Sequence, residues 1–130
     1  MTQGLLLDTQ ALLDLRAGGH LPRRTRTALS APGAQIHLSV ASVWEIAIKL
    51  SRGPALQIGL PLSEFVEAAV ASGLRLLQIA PEHLYEVQRL PWHHKDPFDR
   101  LIAAQSLIEK LPIVGTDEKF DPYGVKRIWS

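Results

Sequence analysis

The sequence predicts an α/β fold built on a mainly parallel sheet. Short apolar runs recur along the chain, separated by longer segments with helical spacing, the alternation that parallel sheets with crossover helices produce. Glycine and proline, nine of each, fall between these segments as punctuation and leave no long linker, internal repeat or low-complexity stretch.

The elements follow in order. Residues 4–7, GLLL, form a short apolar run expected as a buried strand. Residues 8–19, DTQALLDLRAGG, place Leu12, Leu13 and Leu15 at helical spacing and stop at glycine. LPRRTRTALSAPG reads as a second helix and QIHLSV, 35–40, as a second strand. SVWEIAIKLSRGP is a helix closed by Gly53 and Pro54, with SVWE as its capping box: Ser42 at the cap and Glu45 reaching back. PLSEFVEAAVASG is a helix, LRLLQIA (74–80) a strand, and PEHLYEVQRL a helix. DPFDRLIAAQSLIEKL has the strongest helical signature, since Asp96 suits the N-cap, Pro97 the first turn and Asp99 the third position. PIVGT and VKRIW complete the strands.

A chain of 130 residues fits one domain over 1–130, long enough to bury a core without disulfides or metal staples. Hydrophobic residues make up 46% and charged residues 21%, as in ordinary soluble proteins. The absence of cysteine excludes a thiol nucleophile and a thiolate metal site, and fits a reducing compartment. Asp8 and Asp14 interrupt the N-terminal apolar residues, against a signal peptide or membrane span, so a cytoplasmic location is expected. A net charge of +1 means that any nucleic-acid partner must be met by a local patch.

Four acids stand at strand ends or helix starts: Asp8 after the first strand, Glu45 in the helix after the second, Asp99 in the first turn of the late helix, and Asp117 after PIVGT. Each alone is explained as a cap, because the helix dipole favours an acid there by ~0.3–1 kcal/mol. Together they carry a second meaning, since ligands bind beyond the carboxyl ends of parallel strands. Carboxylates gathered there repel, and a proton or a cation must relieve them. Hard cations such as Mg²⁺ take oxygen ligands and support in-line phosphoryl displacement.

The blocks LLLDTQALL, LSVASVWEIAIKL, LPWHHKDPFDRLIAAQSL and PIVGTDEKFDPYGVKRIW, in that order, resemble the PIN-domain family, and most closely its VapC-type toxins. The resemblance runs from about residue 4 to the C-terminus. It implies an α/β/α sandwich, usually dimeric, with the activity of a metal-dependent endoribonuclease using Mg²⁺ or Mn²⁺. It implies Asp8, Glu45, Asp99 and Asp117 as the catalytic and metal-binding acids, with Asp8 and Asp99 central. It implies an RNA substrate, cleaved to a 5′-phosphate and a 3′-hydroxyl, and a cognate antitoxin protein that covers the cleft. Asp96 is expected mainly as a cap. Many members carry Thr or Ser two residues before the fourth acid; here that position is Gly115, with Thr116 beside it.

Candidate RNA contacts are Arg23, Arg24 and Arg26, whose charge opposes the dipole at a helix start, and Lys49 and Arg52, one and two turns beyond Glu45. Lys49 is equally placed to pair with Glu45 at i,i+4. Arg100 is expected to pair with a neighbouring acid or a partner protein. The five histidines form no His-x-His or His-Glu-x-x-His pattern, and surface roles are expected for them. Trp44 and Trp129 fall in apolar blocks and are expected in the core, while Trp92 is expected to pack on the late helix. No Gly-x-Ser-x-Gly elbow and no phosphate-binding glycine loop appear. The alternative function is a non-catalytic RNA-binding or protein-interaction module on the same fold.

Overall fold

In the computed structural model, which describes residues 4–130, five strands form one parallel sheet with helices on both faces. Met1, Thr2 and Gln3, part of the expected domain, lie outside the described residues. The chain runs β1 (Gly4–Leu7), α1 (Thr9–Arg16), α2 (Arg23–Ser30), β2 (Gln35–Ser39), α3 (Val40–Ser51), α4 (Leu62–Ala71) and β3 (Arg75–Leu77). It continues through α5 (Pro81–Arg89), α6 (Pro97–Glu109), β4 (Ile113–Val114), a 3-10 turn (Glu118–Tyr123) and β5 (Arg127–Ile128). The strand order is β3-β2-β1-β4-β5. The chain therefore moves outward from β1 to one edge, then returns to lay β4 on the other side of β1.

Central β1 feeds both cores. Successive residues on a strand face opposite sides. Leu6 accordingly joins Ile102, Ala103, Ile113 and Phe120 in one apolar cluster, while Leu5 and Leu7 join Leu12, Leu38, Ile46 and Phe65 in the other. Helix α6 is buried from Arg100 to Ser106, which makes it the helix most enclosed by the fold. Fully burying a leucine or isoleucine side chain contributes about 1.5–3 kcal/mol, so these two clusters supply the main stabilising term.

Several elements differ from the sequence-based expectation. Helix α3 begins at Val40, and its cap is Ser39, whose hydroxyl accepts from the Ala41 amide at 3.0 Å. Ser42 is thus inside the helix and Glu45 does not reach back to a cap. Strand β3 is confined to Arg75–Leu77 because its single neighbour, β2, ends when the chain turns into α3 at Val40. Trp44 is 52% exposed rather than in the core, its ring edge-on to Phe98 at 4.8 Å. His83, expected on the surface, is buried.

His83 belongs to a polar strut inside the molecule. Its Nδ1 accepts from the Ala80 amide at 2.9 Å, so its Nε2–H donates to Glu109, also at 2.9 Å. Gln105, on α6, accepts from the Ser39 hydroxyl and donates to the Gln78 carbonyl at 3.3 Å. One buried chain of hydrogen bonds therefore ties the start of α3, the middle of α6 and the start of α5. Unpaired, these groups would each cost about 1–3 kcal/mol.

Among the described residues, Arg100 pairs with no acid. Its guanidinium donates to the carbonyls of Pro91, Val87 and Leu90, at 2.8–3.2 Å, and lies over the Trp92 ring at 4.0 Å. It closes the C-terminal end of α5, where carbonyls lack helical partners. Arg100→Met takes a donor from all three carbonyls and leaves Val87 only the Leu90 amide at 3.3 Å, and we expect it to lower unfolding free energy by about 2–4 kcal/mol in urea titration. Lys cannot reproduce the planar fork, so Arg100→Lys should recover less than half of that loss.

Candidate active site

The site lies where the chain reverses direction across the sheet. β1 and β4 run side by side with Leu7 opposite Val114, so the residues that follow each strand emerge together. Asp8 follows β1, and Gly115, Thr116 and Asp117 follow β4. Such switch points open a crevice at the carboxyl ends of strands. Here the crevice is a cleft of about 470 Å³ lined by Asp8, Glu45, Asp96, Asp99 and Asp117, with Lys49 and Lys119 among them. Thr9, Gln10 and Thr116 complete its wall.

Helix caps aim the carboxylates. Asp8 Oδ1 accepts from the Ala11 amide at 2.6 Å, capping α1. Asp117 Oδ1 accepts from the Lys119 amide at 2.9 Å, capping the 3-10 turn. Asp96 Oδ1 accepts from the amides of Phe98 and Asp99, which fixes the first turn of α6. Asp99 itself is half-buried and stands on that turn without capping duty. Glu45 points into the cleft from α3, its Oε1 accepting from the Thr9 hydroxyl at 2.7 Å and its Oε2 lying 3.3 Å from Lys49.

The other basic candidates lie elsewhere. Arg52 ends α3 and does not line the cleft. Arg23 and Arg26 line a separate hollow with Thr27, Ser30 and Pro32. The start of α2 takes a backbone acceptor from a distant part of the chain: the Ser130 oxygen accepts from the amides of Arg24 and Thr25 at 2.7 and 3.2 Å. Arg24 is thereby fixed at a helix start that has no side-chain cap. Sequence reasoning missed Thr9, Gln10 and Lys119. Thr9 directly follows Asp8, and Lys119 sits two residues past Asp117, so adjacency to the acids is the one signal that could have found them.

A family model described as the PIN domain matches residues 5–126. The chain belongs to the PIN-domain family. Among solved structures, this PIN domain is similar to VapBC2 from Rickettsia felis, bound to a promoter DNA fragment, at 15% identity and TM-score 0.74, over 98% of this chain and 100% of that one. It is also similar to VapC20 from Mycobacterium tuberculosis, a sarcin-ricin loop cleaving toxin, at 14% identity and TM-score 0.68, over 97% and 99% of the two chains. VapBC from Salmonella typhimurium, bound to DNA, matches at 16% identity and TM-score 0.68, over 98% of each chain. No curated protein is similar enough in sequence to match.

In this PIN domain the acids oppose one another's charge. Burial pushes Asp8 up from 3.8 to about 6; the Ala11 amide lowers it, and Asp117, Asp14 and Glu45 raise it. Burial likewise lifts Asp99 from 3.8 to about 7, aided by Asp96, Asp117 and Glu45 and opposed by Lys119. Among the described residues, no three acidic or histidine side chains stand close enough to ligate one ion in their present rotamers. The hydrogen bonds explain the spread, since Asp8 and Asp117 each commit one oxygen to a cap and Glu45 is drawn toward Thr9 and Lys49. The donor set nonetheless fits a hard divalent cation. It is all carboxylate oxygen, and its mutual repulsion is the conflict a cation relieves.

Gly115 sets the position of Asp8. A Cβ built on Gly115 would stand 2.0 Å from Asp8 Oδ2, so the carboxylate occupies the space a side chain would need. The family's common hydroxyl residue at this position is therefore excluded unless Asp8 moves. Gly115→Ala should displace Asp8 and weaken Mn²⁺ binding by about 10-fold or more, as measured by calorimetry.

The raised acids make a pH prediction. Both carboxyls hold their protons longer in the folded state than in the unfolded chain. Stability from this source is complete below about pH 4 and is lost as pH rises through about 6 and 7. With metal chelated, Asp99→Asn should raise the Tm at pH 8 by about 2–5 °C and leave it nearly unchanged at pH 4. Equal melting of the two proteins at pH 8 would contradict the assignment.

Proposed function

We propose that this PIN domain is a metal-dependent endoribonuclease and the toxin of a toxin–antitoxin pair. The observation that carries the proposal is the meeting of four carboxylates, Asp8, Glu45, Asp99 and Asp117, in one cleft at the sheet's switch point, two of them with raised pKa values. A structural ion cluster would pair these acids with bases. Here Lys49 pairs with Glu45 alone, and Asp8, Asp99 and Asp117 make no ion pair among the described residues.

Asp8 and Asp99 would hold Mg²⁺ or Mn²⁺, and Glu45 and Asp117 would ligate it directly or through water. When bound, the cation supplies an activated water and neutralises charge developing on the phosphate oxygens. The chain's own residues set the geometry. The Ala11 amide fixes one oxygen of Asp8 and leaves the other for the cleft. Asp96 and Pro97 fix the turn that carries Asp99. Thr9 orients Glu45, and its hydroxyl also approaches Ser42 at 3.0 Å, so α1 and α3 are tied at the cleft.

The toxin role draws support from the fold it shares with VapBC complexes and with a sarcin-ricin loop cleaving toxin. By the same analogy a small antitoxin would silence the cleft, and the domain would act as a homodimer. The test is cleavage of single-stranded RNA by purified protein with Mg²⁺ or Mn²⁺. Asp99→Asn should lose more than about 100-fold in rate, the loss typical when an electrostatic stabiliser leaves an active site, while remaining folded by circular dichroism. Wild-type cleavage by that variant, with metal present, would sink the assignment.

A further inference from the structure

We infer that Lys119 binds a backbone phosphate of the nucleic-acid substrate inside the acid cleft; this rests on the nuclease reading above. Five carboxylates line the cleft, and a polyanion entering it must meet positive charge supplied by the protein or by bound metal. Two lysines are present. Lys49 is already engaged, with its ammonium 3.3 Å from Glu45. Lys119 makes no ion pair among the described residues, so its ammonium is the uncommitted cation of the cleft.

Its backbone is held in place from both sides. The Lys119 amide donates to Asp117 at 2.9 Å, and the next residue, Phe120, is buried in the core. The exposed side chain thus leaves a rigid turn beside the fourth acid. Its charge also reaches Asp99 on the far helix, where it opposes the effect of the neighbouring acids. Lys119 thus lines the cleft beside the acids, where a substrate phosphate entering the cleft would be met.

Several other cations are committed or placed elsewhere. Arg100 is buried against three carbonyls. Arg127 is taken up by Asp121 and the Gly115 carbonyl. Arg23 and Arg26 line a different hollow. The competing account is that Lys119 only balances the charge of the acids. The two accounts differ in salt dependence, because a phosphate contact releases a counterion from RNA and charge balance within the protein does not.

The experiment measures binding of a single-stranded RNA oligonucleotide to the full chain in an uncleaving Asp99→Asn background, across a series of salt concentrations. Lys119→Met should weaken binding by about fivefold near physiological salt and reduce the slope of log K against log salt by about 0.7, the value for one single-strand contact. Lys119→Arg, which keeps the charge, should retain the slope. In the otherwise wild-type enzyme, Lys119→Met should raise KM for RNA more than it lowers kcat. An unchanged slope in Lys119→Met, with RNA still bound, overturns this inference and leaves the nuclease reading standing. If the protein neither binds nor cleaves RNA, both fall. Thermal melts of the variants separate a folding defect from a binding defect, and Lys119→Arg serves as the folded reference.

Discussion

The pairing of β1 with β4 is the constraint on which the cleft depends. Both strands are short, and β4 contributes only Ile113 and Val114 to the ladder. Yet this is where the strand order turns back, the kind of switch point at which a parallel sheet opens a crevice at its carboxyl ends. Leu7 against Val114 sets the register that puts Asp8 against Gly115, with no space for a side chain between them. A slip of one residue would turn Leu6 toward the wrong core and move Asp8 away from Asp117. Burial of Leu5, Leu6 and Leu7 on two faces makes that slip costly. The hydrophobic pattern of three leucines therefore fixes the place of the first acid.

Caps then convert helix starts into aimed carboxylates. A cap uses one oxygen and leaves the other free, so Asp8 and Asp117 stabilise local structure and face the cleft at once. Asp99 is handled differently: Asp96 takes the capping, which releases both oxygens of Asp99. The strut through Ser39, Gln105 and His83 adds the long-range part, holding the start of α3 to the middle of α6. Glu45 and Asp99 thus ride on helices joined inside the core, although neither acid belongs to the strut.

Much of this was legible in the sequence because it rests on local rules. The Asp96-Pro97 start of α6 follows from capping and fixed proline φ, and the alternation of apolar runs and helical segments gave the sheet class. What was not legible depends on partners distant in sequence. Ser39 rather than Ser42 caps α3 because β2 pairs through Ser39 and Gln105 reaches its hydroxyl from 66 residues away. Trp44 looked like core because its neighbours are apolar, but Ser42 and Ile46 turn inward and leave Trp44 on the outer side of α3. Arg100 looked like an ion-pair donor, and only the end of α5 shows why it is buried. Lys119 is silent in sequence, since a lysine after a turn is ordinary until the cleft surrounds it.

The same acids that suit the cleft for chemistry work against the fold. Burial raises Asp8 and Asp99, which means that ionising them at neutral pH takes free energy from folding. A protein selected for stability alone would replace them with Asn or pair each with a base. This one keeps four carboxylates in contact with one cleft and assigns one base, Lys49, to one of them. The rest of the structure carries that strain with two apolar cores, a satisfied buried strut and caps that hold each acid's turn. A cluster of this kind persists against its own repulsion where a charged ligand resolves it, and the ligands that do so with oxygen donors are hard cations. On the proposed reading, the destabilised acids and the uncommitted lysine form one electrostatic design: the carboxylates would take a cation, and Lys119 would meet the anion that the cation draws in.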